Sequence, residues 1–234
     1  MAYKITKDKF IKLVKTEGKK RYHDKHPFNS LLYSGKLTEH QLQGWIINWF
    51  YYQKNISRRD ASIISNCPVS DVRRLWMNRI INHDGYGEVE GGIEGWIRFA
   101  ESAGIERDVL LSSECLPGVR LAVDSLLSFV KNSNWLDGVA TSLGQIFLPA
   151  AIDKRINALS KHYSDVVSPD GLRYFMSLMA QAKSDSNTSI NLIVKYSSSK
   201  QDEFSILQSL FFAEDVVWTI LDSVYSHYVV QSPE

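Results

Sequence analysis

Cysteine is scarce in this chain. Cys67 and Cys115 are the two, and they form no CxxC pair. That excludes a disulfide framework and a cysteine-built zinc site, and makes a reducing cytoplasm the simplest compartment. An excess of one charge is also missing. Basic and acidic residues nearly balance, leaving a net charge of +1, so nothing global points to nucleic acid or an anionic membrane as partner. No apolar run approaches the roughly 20 residues of a membrane helix. Met1 to Lys9 carries charge from Lys4 onward and lacks the apolar stretch of a signal peptide. Gly85, Gly87, Gly91 and Gly92 follow no strand, so they make no phosphate loop. No Gly-x-Ser-x-Gly nucleophile pattern occurs.

Helical periodicity, by contrast, is everywhere. Hydrophobic residues make up 44% and aromatic residues 12%, enough for a sizeable core. No stretch reads as a linker, so one domain over residues 1–234 is expected. Thr38 and Gln41 form a capping-box pattern that predicts a helix from about Glu39 to Ser65, ended by Asn66 and Pro68. Another helix spans about Ser70 to His83, with Gly85 where a left-handed C-cap residue belongs. Residues 85–92 read as a glycine-rich loop, and Ile93 to Ala103 as a short helix closed by Gly104. Pro117 opens a helix on which Val119, Ala122, Val123, Leu126, Leu127 and Val130 share a buried face. Ser168-Pro169 is a further start signal. The last helix begins near Lys200 and is apolar around most of its circumference, which predicts a central position. The basic run Lys12 to Arg21 reads as the solvated face of a helix that also carries Phe10, Ile11, Leu13 and Val14. No segment alternates with period two. The expected fold class is all-α, a compact bundle of about seven or eight helices.

Several segments point further. Tyr22-His23-x-x-His26-Pro27-Phe28 precedes Gly44-Trp45-x-x-Asn48-x-Phe50-Tyr51-Tyr52-Gln53, Asp60-Ala61 and Asn66-Cys67-Pro68. Arg73-Arg74-x-Trp76, Arg79-Ile80, His83-Asp84-Gly85, Gly91-Gly92-Ile93-Glu94-x-Trp96 and Leu116-Pro117-Gly118-Val119-Arg120 follow. In order and spacing the stretch from Tyr22 to Asp124 resembles the pyrroloquinoline-quinone synthase family. Trp218 and Leu221-Asp222 also fall where that family has them. The resemblance implies a heme-oxygenase-like helical fold and a homodimer. It implies an enzyme that takes molecular oxygen as co-substrate and uses no metal or organic cofactor. It further implies a closed polar pocket for a tricyclic, multiply carboxylated precursor, where histidines, tyrosines and arginines relay protons and stabilise reduced oxygen.

Carried over position by position, His23, Tyr52, Arg79, His83, Arg155 and Tyr174 match pocket residues of the family. His23, His83, Arg79 and Tyr174 are the expected catalytic residues. Tyr52, Arg155, Trp49 and Gln145 are the expected substrate contacts. Other positions depart. Trp49 stands for an arginine, Leu126 for a tyrosine, Ile152 for a histidine, Leu178 for an arginine and Ala213 for a lysine. Three fixed positive charges are thereby lost. A charge-assisted contact to a carboxylate is worth roughly 1.5–3 kcal/mol, and a buried carboxylate without cationic partners is costly. The expected small-molecule substrate is therefore less anionic or more apolar, quinol-like or aromatic.

The residues can also be read without the family. Arg79 and His83 lie four apart on one helix face. Such a pair holds an anion, or sets a proton donor beside a fixed charge. The bland alternative has His83 complementing the helix dipole and Arg79 paired with an acid such as Asp84. His26 reads as structural. Glu214 and Asp215 interrupt the most apolar helix, where a salt bridge to Arg120 or Arg155 is the simplest account. Two other classes stay open: a non-catalytic binding or interaction protein on this fold, and a metal-dependent oxidase. A di-iron site is disfavoured, because no Glu-x-x-His occurs and the 170–196 helix has Asp185 but no histidine. Heme would need His23 or His26 as its axial ligand.

Overall fold

A computed structural model describes residues 6–231; Met1 to Ile5 of the charged N-terminal stretch lie outside the described residues. Among the described residues the chain is all-α, in twelve helices rather than seven or eight. These are α1 (Lys7–Arg21), α2 (Pro27–Tyr33), α3 (Glu39–Gln53), α4 (Ile56–Asn66), α5 (Ser70–Asp84) and α6 (Gly92–Ser102). They are followed by α7 (Arg107–Ser112), α8 (Pro117–Asn132), α9 (Trp135–Ala140), α10 (Leu148–His162), α11 (Arg173–Tyr196) and α12 (Lys200–Tyr225). Short 3₁₀ turns occupy His23–Lys25, Leu143–Ile146 and Pro169–Leu172. The excess over the expected number comes partly from α2, α7 and α9, which are six or seven residues long. Two turns of helix are too short for hydrophobic periodicity to register.

One expected helix is two. The run from Glu39 breaks at Lys54 and Asn55. The Asn55 amide donates to the Tyr51 carbonyl at 2.7 Å, and its oxygen accepts from Arg58 at 2.8 Å. A local side-chain bond of this kind competes with the helix ladder. The break leaves α3 with free terminal carbonyls, one of which the site uses. At its other end α3 starts as expected: Gln41 N–H donates to Thr38 Oγ1 at 3.3 Å, and Thr38 N–H to Gln41 Oε1 at 3.0 Å.

The glycine loop after α5 contains a two-residue hairpin, Gly85–Tyr86 against Val89–Glu90. Gly85 has φ 89° and ψ 174°, so its positive φ comes with an extended ψ and not the left-handed cap expected. A Cβ there would stand 2.6 Å from the Val89 carbonyl oxygen.

Helix α12 is central. Ile206, Leu210, Val216, Val217, Ile220, Leu221 and Val224 are buried, and the helix packs on α1, α3, α8 and α9. Together with the π turn Ser226–Val230, it is long and apolar enough by composition to cross a membrane. This corrects the reading that no run approaches that length. Its interior contacts account for its apolar character. Within the same core an aromatic cluster joins α3, α6 and α11: Trp45 meets Trp96 edge-on at 5.5 Å, and Phe99 meets Phe175 at 4.9 Å. Such pairs add about 0.5–1.5 kcal/mol each beyond the area they bury.

The π turn is clasped onto α3. Gln41 Nε2 donates to the Tyr228 carbonyl at 3.1 Å, and a Cβ on Gly44 would lie 2.5 Å from the Tyr228 ring. Gly44→Ala is therefore expected to expel that ring and lower stability by about 1–3 kcal/mol. Urea unfolding should show a lower midpoint at unchanged slope. An unchanged midpoint would mean the ring finds another seat.

Candidate active site

His83 lies in the last turn of α5, half-buried. Its Nε2 is 2.8 Å from the Gln53 carbonyl oxygen, one of the carbonyls freed at the end of α3. A carbonyl only accepts, so Nε2 carries the hydrogen and Nδ1 keeps a lone pair. Burial lowers the His83 pKa; the bond to Gln53 and the nearby Asp84 oppose this without reversing it. The imidazole is thus neutral at pH 7. The Gln53 side chain donates to the Tyr174 hydroxyl at 3.0 Å. Burial pushes that phenol well above its usual pKa, so it stays protonated. Gln53 therefore ties His83 to Tyr174 across α3, α5 and α11.

Arg79, one turn before His83, is buried in a charged network. Its Nε donates to Asp60 at 3.2 Å, and another nitrogen donates to Gln145 Oε1 at 3.1 Å. That same nitrogen is 2.8 Å from Asp185. Asp60 is fully buried and also accepts from Arg59 at 2.8 and 3.1 Å. Burial alone would raise the Asp60 pKa; the Arg59 and Arg79 guanidiniums outweigh it and hold the carboxyl below its usual range. Arg79 does not pair with Asp84, whose carboxylate accepts from Ser57. Helix packing brings Asp60 and Asp185 to it instead.

A second polar group gathers where the 3₁₀ turn after α1 meets α10 and α12. His23 Nδ1 is 3.5 Å from Glu214 Oε2, within ion-pair range but without hydrogen-bond geometry. Glu214 has room because residue 144 is glycine: a Cβ there would overlap its carboxylate. Arg155 is 4% exposed, with its guanidinium over the faces of Trp45 at 5.1 Å and Phe175 at 5.7 Å. Among the described residues, Arg155 Nε, Tyr22 Oη, Tyr33 Oη, His23 Nδ1 and Glu214 Oε2 are buried without a hydrogen-bond partner. Native interiors leave few such groups, and several together mark a place where a polar ligand or water completes the bonding. Burial pushes the Tyr22 phenol well above its usual pKa, and Glu214 adds to this while Arg155 opposes it. The group within ion-pair range of Glu214 is therefore His23, not Arg120 or Arg155. Arg120 reaches Glu114 at 3.9 Å, and Asp215 is exposed and meets Arg21 at 3.0 Å.

The two groups adjoin. Trp49 lies between them, 6.4 Å from the His23 ring and 5.5 Å from Tyr52. The 3₁₀ turn Leu143–Ile146 spans both, with Gly144 against Glu214 and Gln145 on Arg79. All eight candidate positions belong to these two adjoining groups: His23, Trp49, Arg79, Arg155 and Tyr174 are buried, and Tyr52, His83 and Gln145 are half-buried. Of the replaced positions, Leu126, Ile152 and Ala213 are buried and Leu178 is half-buried. His26 commits both ring nitrogens within the protein: Nδ1 accepts from Phe28 N–H and Nε2 donates to Asp222, each at 3.0 Å. Gln53, Asp60 and Tyr22 were missed as individual site residues, though each sits in a family-like segment. Arg59 and Asp185 carried no signal of their own. Among the described residues, no three His, Cys, Asp or Glu side chains stand together as a metal site.

The helical bundle has a heme-oxygenase-like fold. A domain of unknown function with that fold from Shewanella denitrificans superposes with a TM-score of 0.81, at 16% identity, over 98% of this chain and 97% of the other. The chain belongs to the TENA/THI-4/PQQC family, whose model matches residues 12–222. A pyrroloquinoline-quinone synthase of Ectopseudomonas mendocina is 38% identical over 91% of this chain and 85% of its own length. One from Cronobacter sakazakii is 37% identical over 97% and 90%. A TenA homologue from P. horikoshii shares the fold at a TM-score of 0.69 and 12% identity, over 92% of this chain and 98% of the other.

Proposed function

We propose that this chain is an oxygen-using oxidoreductase of the pyrroloquinoline-quinone synthase type. It works without metal or organic cofactor, on an aromatic or quinol-like substrate that is less anionic than a multiply carboxylated quinone precursor. The relatives support the reaction class. The observation that carries the substrate reading is charge balance. Arg59 and Arg79 are offset by Asp60 and Asp185, and Glu214 lies against His23, so Arg155 is the one of these three arginines without a carboxylate partner. Arg155 is the buried guanidinium that faces aromatic rings instead of a carboxylate, and it suits one anionic group of a ligand. A second and third carboxylate would be buried uncompensated.

Oxidation of a quinol moves two electrons and two protons to dioxygen, giving quinone and hydrogen peroxide. His83 Nδ1 accepts a substrate proton, since its Nε2–H is held by Gln53. The Tyr174 phenol, kept protonated by burial, supplies a hydrogen bond to reduced oxygen. His23 passes the second proton, and Arg79 holds its charge fixed nearby.

The test is calorimetric binding of two ligands on the same ring system, one with a single carboxylate and one with three. The monocarboxylate is expected to bind at least tenfold more tightly, the equivalent of about 1.5 kcal/mol for one unmet charge-assisted contact. Tight, stoichiometric binding of the tricarboxylate would sink the substrate reading. A non-catalytic binding protein is the second reading, favoured by close packing: Trp49 and Leu126 are buried, and the cavity beside Leu126 is about 10 Å³. Binding without any oxygen consumption would establish it.

A further inference from the structure

We infer that the small cavity between α4 and α8 holds a single bound water, through which Arg59 turns the Tyr52 hydroxyl hydrogen toward the ligand; Tyr52 as a ligand contact rests on the reading above. The cavity measures about 10 Å³ and is lined by Tyr52, Asn55, Arg59 and the aliphatic side chains of Ile56, Val123, Leu126 and Leu127. That is the room one water takes. Two of the walls carry unmet hydrogen-bonding groups. Arg59 is 4% exposed, and its Nε and one terminal nitrogen both donate to Asp60 Oδ1. Its other terminal nitrogen has no acceptor among the described residues, and the Tyr52 hydroxyl has no partner there either. Asn55 is already engaged with Tyr51 and Arg58. A buried guanidinium donor left unmet is costly, and a trapped water needs at least two polar partners. Arg59 and Tyr52 supply them. Arg59 and Arg79 are balanced by Asp60 and Asp185, so the space calls for a neutral occupant and not an anion.

The direction of the bonds follows from the donors. A guanidinium N–H only donates, so the water oxygen accepts from Arg59. The water hydrogens then point away from Arg59, and one is given to the Tyr52 oxygen. Arg59 is the charge that acts most strongly on that phenol, ahead of Glu214, Asp60 and Arg79. Burial raises the phenol pKa, so the hydroxyl stays protonated. Its oxygen accepts from the water, and its own hydrogen is left to donate elsewhere. Arg59 is thus a positioning residue, and Tyr52 meets the ligand as a hydrogen-bond donor. The ligand atom opposite it is an acceptor, such as a quinone-type carbonyl oxygen.

High-resolution diffraction from crystals of the full chain is expected to show one water within about 2.7–3.2 Å of both the free Arg59 nitrogen and Tyr52 Oη. A bromide soak should leave no anomalous peak at that place. An empty cavity, or bromide in it, would overturn the inference. Val123→Ile adds one methyl group to the wall and should expel the water while every polar group stays in place. The Cζ NMR signal of isotope-labelled Tyr52 should then shift, and calorimetric affinity for an aromatic monocarboxylate probe should fall several-fold. Leu127→Met fills the same space should the isoleucine variant not fold. An unchanged Tyr52 signal and unchanged affinity in a folded variant that has lost the water would overturn the role given to Arg59. Both changes in a chain that oxidises no quinol would leave this inference standing and remove the oxidase reading.

Discussion

Asp60→Ala is expected to destabilise the protein by about 3–5 kcal/mol, because it leaves buried guanidiniums without their carboxylate. Asp60 is fully buried and accepts from both Arg59 and Arg79. Arg79 retains Asp185 at 2.8 Å, so most of the loss falls on Arg59, whose Nε and second donor both point to Asp60. Chemical unfolding measures the loss directly, and a change below about 1 kcal/mol, the range of a surface ion pair, would contradict the network. The effect also has a pH signature. The folded carboxyl is held below its usual pKa, so its contribution is present in full above the unfolded value near 3.9 and is lost as pH falls through the folded value. The gap between wild type and Asp60→Asn should be constant near neutrality and close below about pH 4. A gap that instead widened on acidification would show the opposite shift.

His83→Ala is expected to lower kcat by about 10²–10⁴-fold with little change in substrate affinity, the usual loss on removing a proton-transfer group. The reason is geometric. Nε2 is anchored on the Gln53 carbonyl at 2.8 Å, which leaves Nδ1 as the acceptor. Burial depresses the imidazole pKa, so the neutral, proton-accepting form persists to pH values below the ordinary 6.5. The rate of the wild-type protein should fall on the acid side with an apparent pKa under 6.5, and the variant should lose that limb. The same shift acts on stability. The unfolded chain takes up the proton first as pH falls, so folding weakens between the unfolded and folded pKa values of this histidine. Stopped oxygen uptake against pH, with binding measured in parallel, checks the assignment. An acid limb retained in the alanine variant would move the role to another group.

Both expectations depend on contacts that no local pattern in the chain announces. Arg79 and Asp84 lie close enough in sequence to look like a pair, yet Arg79 meets Asp60 on α4 and Asp185 on α11. Glu214 looked like a partner for Arg155 or Arg120, and the crossing of α12 with the turn after α1 gives it His23. The break between α3 and α4 turns on one asparagine side chain bonded to the backbone four residues back, a choice that apolar periodicity does not encode.

The sequence by itself determined what short-range physics controls. The cap at Thr38 and the first-turn proline Pro117 started helices where they stand, the α8 face from Val119 to Val130 is buried except for half-buried Leu127, and the apolar α12 lies at the centre. The ordered segments from Tyr22 to Asp124 were enough to indicate the family and to place Arg79 and His83 on one helix. Only the tertiary structure decided which charges meet, that Gln53 joins His83 to Tyr174, and that Arg155 ends over aromatic faces with an unmet donor. The physical reason is range. Caps and periodicity act over three or four residues, whereas these pairings depend on how helices far apart in the chain are set against one another.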